Sequence, residues 1–114
     1  MSYNVETIPS FDKQLKKLVN KYPSLKQEYS DLLDELEEDP LAIQSIDPLG
    51  HDCYKIRMAI ASKNTGKSGG ARVVYYVQVV DEQVVLLSIF DKADQATVKP
   101  KQLLDLLKAL KGDK

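Results

Sequence analysis

The chain has 114 residues and a formal net charge of −1, with 43% of its residues hydrophobic and 29% charged. This length suits one domain with a single core, and no apolar run approaches the roughly 20 residues that a membrane span requires. One cysteine, Cys53, excludes an internal disulfide, and one histidine, His51, leaves too few ligands for a zinc site. The N-terminal segment lacks the basic start and apolar run of a secretory signal, so we expect a cytoplasmic protein.

The first third of the sequence predicts one strand and two helices. Residues Tyr3–Ile8 alternate and indicate a short strand. Ser10 is a suitable N-cap for a helix over Phe11–Lys21, which has apolar residues at helical spacing. The pattern Ser24-x-x-Gln27 matches a capping box, so a second helix is expected to begin there and to end at Pro40. Two consecutive helices with a short turn form a helical hairpin.

The remaining two thirds predict a sheet followed by one helix. Residues 40–53 contain prolines and a glycine and are expected to form a connecting loop. Three strands are expected at about 54–61, 71–80 and 84–91, and a last helix from about Val98 to Lys111. The order β-α-α-β-β-β-α predicts an α+β fold, in which the helical hairpin packs on a mostly antiparallel sheet within one domain.

Charge is segregated along the chain. Residues 1–48 carry five lysines against ten acidic residues, a balance of −5. Residues 49–80 carry five lysines and arginines against Asp52 alone, a balance of +4, and residues 81–114 carry six of each sign. An anionic ligand would therefore meet the middle strands rather than the first helices.

The cations of the middle strands are spaced so that they share one face. Lys55 and Arg57 lie two positions apart on one strand, and Arg72 and Tyr76 point to one side of the next. An antiparallel pairing gathers these side chains, with Lys67 on the loop between the strands, into a group that suits a phosphodiester. Lys63 and Lys67 are candidates for further phosphate contacts. The competing interpretation is a polar strand face that is simply solvated.

A phosphate-binding loop of the nucleotide-binding type is a weaker interpretation of Gly66-Lys67-Ser68. That motif requires a glycine where this chain has Ala61, and a helix after the lysine and serine. A β-branched run that begins near residue 71 predicts a strand instead. The segment is expected to be a basic hairpin loop in which glycines permit positive φ.

Three segments resemble the RelE/ParE superfamily of bacterial toxins, and its HigB-like branch in particular. They are CYKIR at 53–57, GKSGGARVVYY at 66–76 and LLSIFDKADQ at 86–95. The order of the predicted helices and strands is similar as well. The resemblance implies the toxin of a type II toxin–antitoxin system, which cleaves messenger RNA at the ribosome or free of it. It also implies attack by the 2′-hydroxyl on its own phosphate, no metal or other cofactor, and an antitoxin protein as partner.

The resemblance assigns site residues one by one. Lys55 and Arg57 match the basic pair on the first strand after the helical hairpin, Arg72 matches the arginine that follows the two glycines, and Lys92 matches the lysine after the last strand. Tyr76 is a looser match. The chain has no counterpart of the C-terminal catalytic histidine or tyrosine of the family, because Asp91 follows Phe90. Two alternatives therefore stay open: a ParE-like inhibitor of DNA gyrase, and an inactive domain that binds only its antitoxin.

Overall fold

The computed structural model of the protein describes residues 2–63, 66–95 and 97–112. These residues form five strands, three helices of 13 or 14 residues and two short helical turns. In chain order they are β1 (Asn4–Thr7), α1 (Pro9–Lys21), α2 (Leu25–Glu38), β2 (Ile46–Gly50), β3 (Cys53–Met58), a 3₁₀ turn (Ala61–Lys63), the helical turn α3 (Gly66–Gly69), β4 (Ala71–Gln78), β5 (Gln83–Asp91) and α4 (Pro100–Gly112). None of the described helices is long and apolar enough to cross a membrane.

The five strands form a single mixed sheet in the order β1-β5-β4-β3-β2. The edge strand β1 runs parallel to β5, and the other three pairings are antiparallel. A parallel pairing requires a long crossover, and α1 and α2 lie in the connection that leads out of β1. The α+β fold with a mostly antiparallel sheet is thus confirmed.

The helical hairpin covers one face of the sheet. The phenol of Tyr75, on β4, donates a hydrogen bond to the carbonyl of Pro40 just after α2, at 2.8 Å. The phenol of Tyr22, just after α1, donates to Asp91 at the end of β5, also at 2.8 Å. Ile56 and Val73 face the same side and are buried, as the alternation of the strands requires. The next residues along each strand, including Arg57 and Arg72, therefore point away from the helical hairpin.

The expected loop at 40–53 contains a strand that the sequence did not indicate. Strand β2 pairs antiparallel with β3 at the edge of the sheet, although it contains Pro48 and Gly50. An edge strand tolerates proline because one side of its backbone has no neighbour. His51 and Asp52, with φ of 56° and 61°, make the tight turn into β3. The pairing also has an irregularity between Pro48 and Gly50, which hides the alternation that identifies a strand.

The predicted helix starts are correct to within a few residues, and Ser24 is the N-cap residue of α2 as predicted, but Ser10 is not the cap of α1. Helix α1 begins at Pro9, and Ile8 is its N-cap, so Ser10 lies inside the helix. A proline suits the first helical position because it has no N–H to leave unpaired. Ser24 precedes α2, but it makes no cap hydrogen bond. Its hydroxyl donates to Glu28 at 3.1 Å and accepts from the N–H of Ser62 at 2.9 Å, so it joins α2 to the segment after β3.

The start of β4 requires a glycine for reasons of space. A Cβ atom added to Gly70 would overlap the carbonyl oxygen of Met58 and lie 2.9 Å from the Cα of Ala59. The carbonyl of Gly70 also accepts a hydrogen bond from the N–H of Lys92 at 2.9 Å, so the backbone has little freedom to shift. The absence of a side chain at Gly70 thus allows the backbone before β4 to pack closely against the backbone at the end of β3.

We expect Gly70→Ala to lower the free energy of unfolding by about 2 kcal/mol, because the new methyl group must push two backbones apart. Urea denaturation followed by circular dichroism measures this change. A variant as stable as the wild type would mean that the two backbones do not approach each other as closely as described.

Candidate functional site

Two arginines stand directly opposite each other on β3 and β4. Arg57 and Arg72 are cross-strand partners on the face that points away from the helical hairpin. Arg57 is exposed, whereas Arg72 is only 4% exposed, and its guanidinium donates to the carbonyl of Ala71 at 3.2 Å. Burial lowers the pKa of Arg72, and the charge of Arg57 lowers it further. Like charges directly opposite each other destabilise a sheet, and an anion placed between them would relieve the repulsion.

Lys55 extends this pair along β3. It lies two residues before Arg57, opposite Val74, and so shares the face of the two arginines. Its ammonium group donates a hydrogen bond to the hydroxyl of Thr97 at 3.1 Å. The segment that leads into α4 therefore passes over this part of the sheet. We call Lys55, Arg57 and Arg72 together the basic face.

Lys92 lies at the end of the sheet where the arginine pair is found. It is half-buried in the turn after β5, and its N–H donates to the carbonyl of Gly70, two residues before Arg72. Phe90, two residues before Lys92, is the direct cross-strand partner of Arg72. The structure thus brings Lys92 to the same end of β4 as the arginines.

Tyr76 shares the face of the arginines but not their location. It is half-buried and stands opposite Cys53, at the far end of β3. Four residues along a strand separate it from Arg72, which corresponds to about 13 Å. A phosphate held between Arg57 and Arg72 is therefore out of reach of the Tyr76 phenol without a rearrangement of the strand.

Lys63 lies on the opposite side of the sheet from the arginine pair. Its ammonium group forms an ion pair with Asp91 at 2.5 Å, and Asp91 also accepts hydrogen bonds from the Tyr22 phenol and the N–H of Ala93. Burial opposes ionisation of Asp91, but these hydrogen bonds and the charge of Lys63 hold its pKa below the ordinary value. The structure therefore does not bring Lys63 to the basic face. The side chain of Lys67 lies outside the described part of the chain.

Asp47 is a member of the site that the sequence did not predict. Strand β2 places it directly opposite Lys55, on the side of the basic face. Its carboxylate raises the pKa of Arg72, opposing the effects of burial and of Arg57. Because residues 40–53 were expected to form a loop, nothing in the sequence connected Asp47 with the cations. A pairing of Ile46-Asp47 with Lys55-Ile56 is the only signal that could have revealed it.

Neither Cys53 nor His51 belongs to the basic face as a reactive group. Cys53 is buried, and burial together with the nearby Asp52 raises the pKa of its thiol to about 11, so the nucleophilic thiolate is disfavoured. His51 is exposed in the turn between β2 and β3. Within the described ranges, no group of three His, Cys, Asp or Glu side chains is arranged to hold a metal ion.

Solved structures of RelE toxins share this fold. A mutant of E. coli RelE in the free state has 23% sequence identity and a TM-score of 0.62, and the match covers 95% of this chain and 97% of that one. The RelBE2 toxin–antitoxin complex of Mycobacterium tuberculosis has 19% identity and a TM-score of 0.56, with 80% and 99% covered. The RelE–RelB complex of Pyrococcus horikoshii has 20% identity and a TM-score of 0.56, with 81% and 97% covered. No protein-family model matches the sequence, and no curated protein matches it either. The chain therefore has the fold of the RelE toxins.

Proposed function

We propose that this protein is the toxin of a type II toxin–antitoxin system, of the HigB-like branch, and that it cleaves messenger RNA on its basic face. The observation that carries the proposal is the cross-strand pair of Arg57 and Arg72. Lys55 lies beside this pair, and Lys92 lies at the same end of the sheet. Cations gathered in this way on the side of the sheet opposite the helical hairpin suit the phosphodiester of RNA.

The reaction that fits these groups is an internal phosphoryl transfer. The 2′-oxygen of a ribose attacks the adjacent phosphorus, and the bond from phosphorus to the 5′-oxygen breaks. The products are a 2′,3′-cyclic phosphate and a 5′-hydroxyl, so no water is consumed in this step. Negative charge accumulates on the phosphoryl oxygens as the phosphorane forms. Guanidinium groups present planar pairs of N–H donors to such oxygens, which is the role we assign to Arg57 and Arg72.

Two protons must move during the step. One leaves the 2′-hydroxyl, and one reaches the departing 5′-oxygen. We assign the second transfer to the ammonium group of Lys92, because that residue lies at the arginine end of the sheet. Lys55, on the other side of Arg57, is the group we assign to the 2′-hydroxyl, and it accepts this proton only as a neutral amine. Its hydrogen bond to Thr97 must open for that role.

We propose an antitoxin protein as the partner of this toxin in the cytoplasm. Two of the solved structures similar to this chain are complexes of RelE with RelB, and a third holds an E. coli RelE mutant with a peptide of antitoxin RelBc. Acidic residues of such a partner would neutralise Arg57 directly, because Arg57 is exposed. This contact would block RNA and silence the toxin.

Inhibition of gyrase is the second candidate function, and the charge distribution favours it. The chain carries −5 over residues 1–48 and −1 overall, which opposes deep insertion into ribosomal RNA. Contacts with a protein target would not require the basic face to act as a catalyst. An inactive domain that binds only its antitoxin would use the same surfaces.

Inducible expression in bacteria separates these candidates. We expect the wild type to arrest growth and to create new internal ends in messenger RNA, and the Arg57→Ala/Arg72→Ala variant to do neither. Growth arrest with intact RNA and damaged DNA would overturn the proposal in favour of gyrase. Normal growth with folded, soluble wild-type protein would favour the inactive binding domain.

We expect Asp47→Asn to raise the affinity for RNA, and with it the rate of cleavage below saturation, by about threefold, because it removes a negative charge beside the phosphate site. The gain should shrink as the salt concentration rises. Cleavage rates measured from low to high ionic strength test this expectation. Asp34→Asn, the same substitution at an exposed position of α2, is the matched control. If Asp47→Asn abolished cleavage, the Asp47 carboxylate would take part in the reaction rather than weaken the binding of RNA.

A further inference from the structure

A groove runs between α2 and the outer edge of β3, and Arg57 lies at its border with the basic face. Its cavity volume is about 590 Å³. Leu32, Ile56 and Met58, all buried, form an apolar floor. Glu35 and Glu38, both exposed near the end of α2, line its rim.

The groove exists because β2 stops short. Strand β2 begins at Ile46, opposite Ile56, whereas β3 continues to Met58. Ser45, with φ of 69°, turns the chain away at the point where β2 would otherwise run on beside Arg57. Strand β4 pairs with one side of Arg57 and Met58, the last two residues of β3, but within the described residues no strand pairs with their outer side. A sheet edge left open in this way offers backbone groups to an extended chain.

The lining selects the side chains of such an occupant. Four acidic residues line the groove, and Arg57 is its single cation among the described residues. Two of the four, Glu28 and Asp39, already accept hydrogen bonds from the backbone N–H groups of Ala61 and Leu41. The apolar floor next to the acidic rim suits a lysine or arginine, because the stem of such a side chain covers apolar surface while its charged end reaches a carboxylate.

We propose that this groove binds an extended segment of a protein partner. The segment adds to the sheet beside Arg57 and Met58, in the place that β2 leaves open. On the side of the segment that faces α2, apolar side chains alternate with lysine or arginine. Small neutral side chains face the other way, since a cation there would meet Arg57. RNA is excluded as the occupant, because its phosphates would be repelled by the rim.

This inference goes beyond the proposed function, since it concerns the binding of a protein segment rather than cleavage, although the groove shares Arg57 with the basic face. The partner segment has the opposite charge from one that would neutralise Arg57 and Arg72. A protein that uses both surfaces would therefore need a basic, apolar segment at the groove and an acidic one at the basic face. Because Arg57 lines both surfaces, the two segments would lie next to each other.

A synthetic peptide tests the groove directly. The probe is fluorescein-labelled Thr-Ile-Thr-Arg-Thr-Ile-Thr-Arg with blocked ends, which places isoleucine and arginine on one side of a strand. We expect saturable binding to the full chain by fluorescence anisotropy, and shifts of the Met58 and Ala59 amide signals in nuclear magnetic resonance spectra. Binding to Glu35→Gln/Glu38→Gln should be at least about fivefold weaker.

Matched controls decide whether the groove is responsible. Asp34→Asn/Glu37→Gln removes two charges from the same helix at exposed positions that do not line the groove, and its affinity should stay within about twofold of the wild type. A peptide with glutamate in place of arginine should not bind.

Equal losses of affinity in both double variants, equal binding of the glutamate peptide, or no saturation at about 1 mM would overturn the inference. Self-association that Glu35→Gln/Glu38→Gln abolishes would overturn it in favour of a second copy of this chain. If the protein cleaved RNA but did not bind the peptide, the inference about the groove would be refuted and the proposed function would stand.

Discussion

Replacing Arg57 with alanine should lower the rate of RNA cleavage by about 10²- to 10³-fold, because one positioned donor to the developing phosphorane is lost. The Arg57 side chain is exposed, so the free energy of unfolding should change by less than about 0.5 kcal/mol. Cleavage of a translated message in a purified translation reaction gives the rate, and thermal melting gives the stability.

Three further variants separate a chemical role of the arginines from a general charge effect. Arg57→Lys keeps the charge but not the planar pair of donors, so its rate should lie between those of wild type and Arg57→Ala. Arg72→Ala should lose cleavage and stability together, because Arg72 is buried. Lys101→Ala removes an exposed cation of α4 and should leave the rate unchanged. Equal losses in Arg57→Ala and Lys101→Ala would contradict a specific arginine site.

Replacing Asp91 with alanine should lower the free energy of unfolding by about 3–5 kcal/mol. Asp91 is 1% exposed and its partner Lys63 is 13% exposed, so the substitution leaves the ammonium group with little water and no counter-charge. The Tyr22 phenol and the Ala93 N–H lose an acceptor as well. Urea denaturation at pH 7 measures the change. Asp94→Ala, at an exposed position three residues later, is the control and should change stability little.

The contribution of Asp91 to stability should depend on pH. Its pKa in the folded protein is lowered from the ordinary value of 3.8. The folded state therefore binds the proton less readily than the unfolded state, and the stabilisation is fully present above pH 3.8 and is lost as the pH falls below that value. The difference in unfolding free energy between wild type and Asp91→Ala should shrink in acid. A difference that stayed constant down to pH 2 would mean that the ionised carboxylate is not what stabilises the fold.

That Lys55, Arg57 and Arg72 share one face could be predicted because strand alternation is a local property. Lys55 and Arg57 lie within a single strand, and the β4 run that contains Arg72 is equally regular. Once these strands pair antiparallel, the arginines meet whatever the rest of the chain does. The burial of Arg72 could not be predicted in the same way, since it depends on surrounding segments that are remote in sequence.

The features that the sequence did not predict depend on contacts between distant segments. Asp47 joins the basic face only because β2 pairs with β3, and a proline and an irregular register conceal that strand. Lys63 pairs with Asp91, which is 28 residues away in the sequence and lies at the end of another strand. Ser24 has the sequence of a cap, but the nearby Ser62 N–H competes for its hydroxyl. Tyr76 was assigned by its face alone, and the distance along the strand from Arg72 separates them.

The most direct measurement is the chemistry of the RNA ends left by purified protein acting on a translated message. We expect the wild type to leave fragments with 2′,3′-cyclic phosphate and 5′-hydroxyl ends. The same ends should form on free RNA in the presence of a metal chelator. They should be absent with Arg57→Ala. We also expect that a 2′-deoxy nucleotide at the mapped cut site prevents cleavage there. Cleavage that survives the 2′-deoxy substitution, or equal cleavage by Arg57→Ala, would contradict catalysis by the arginine pair.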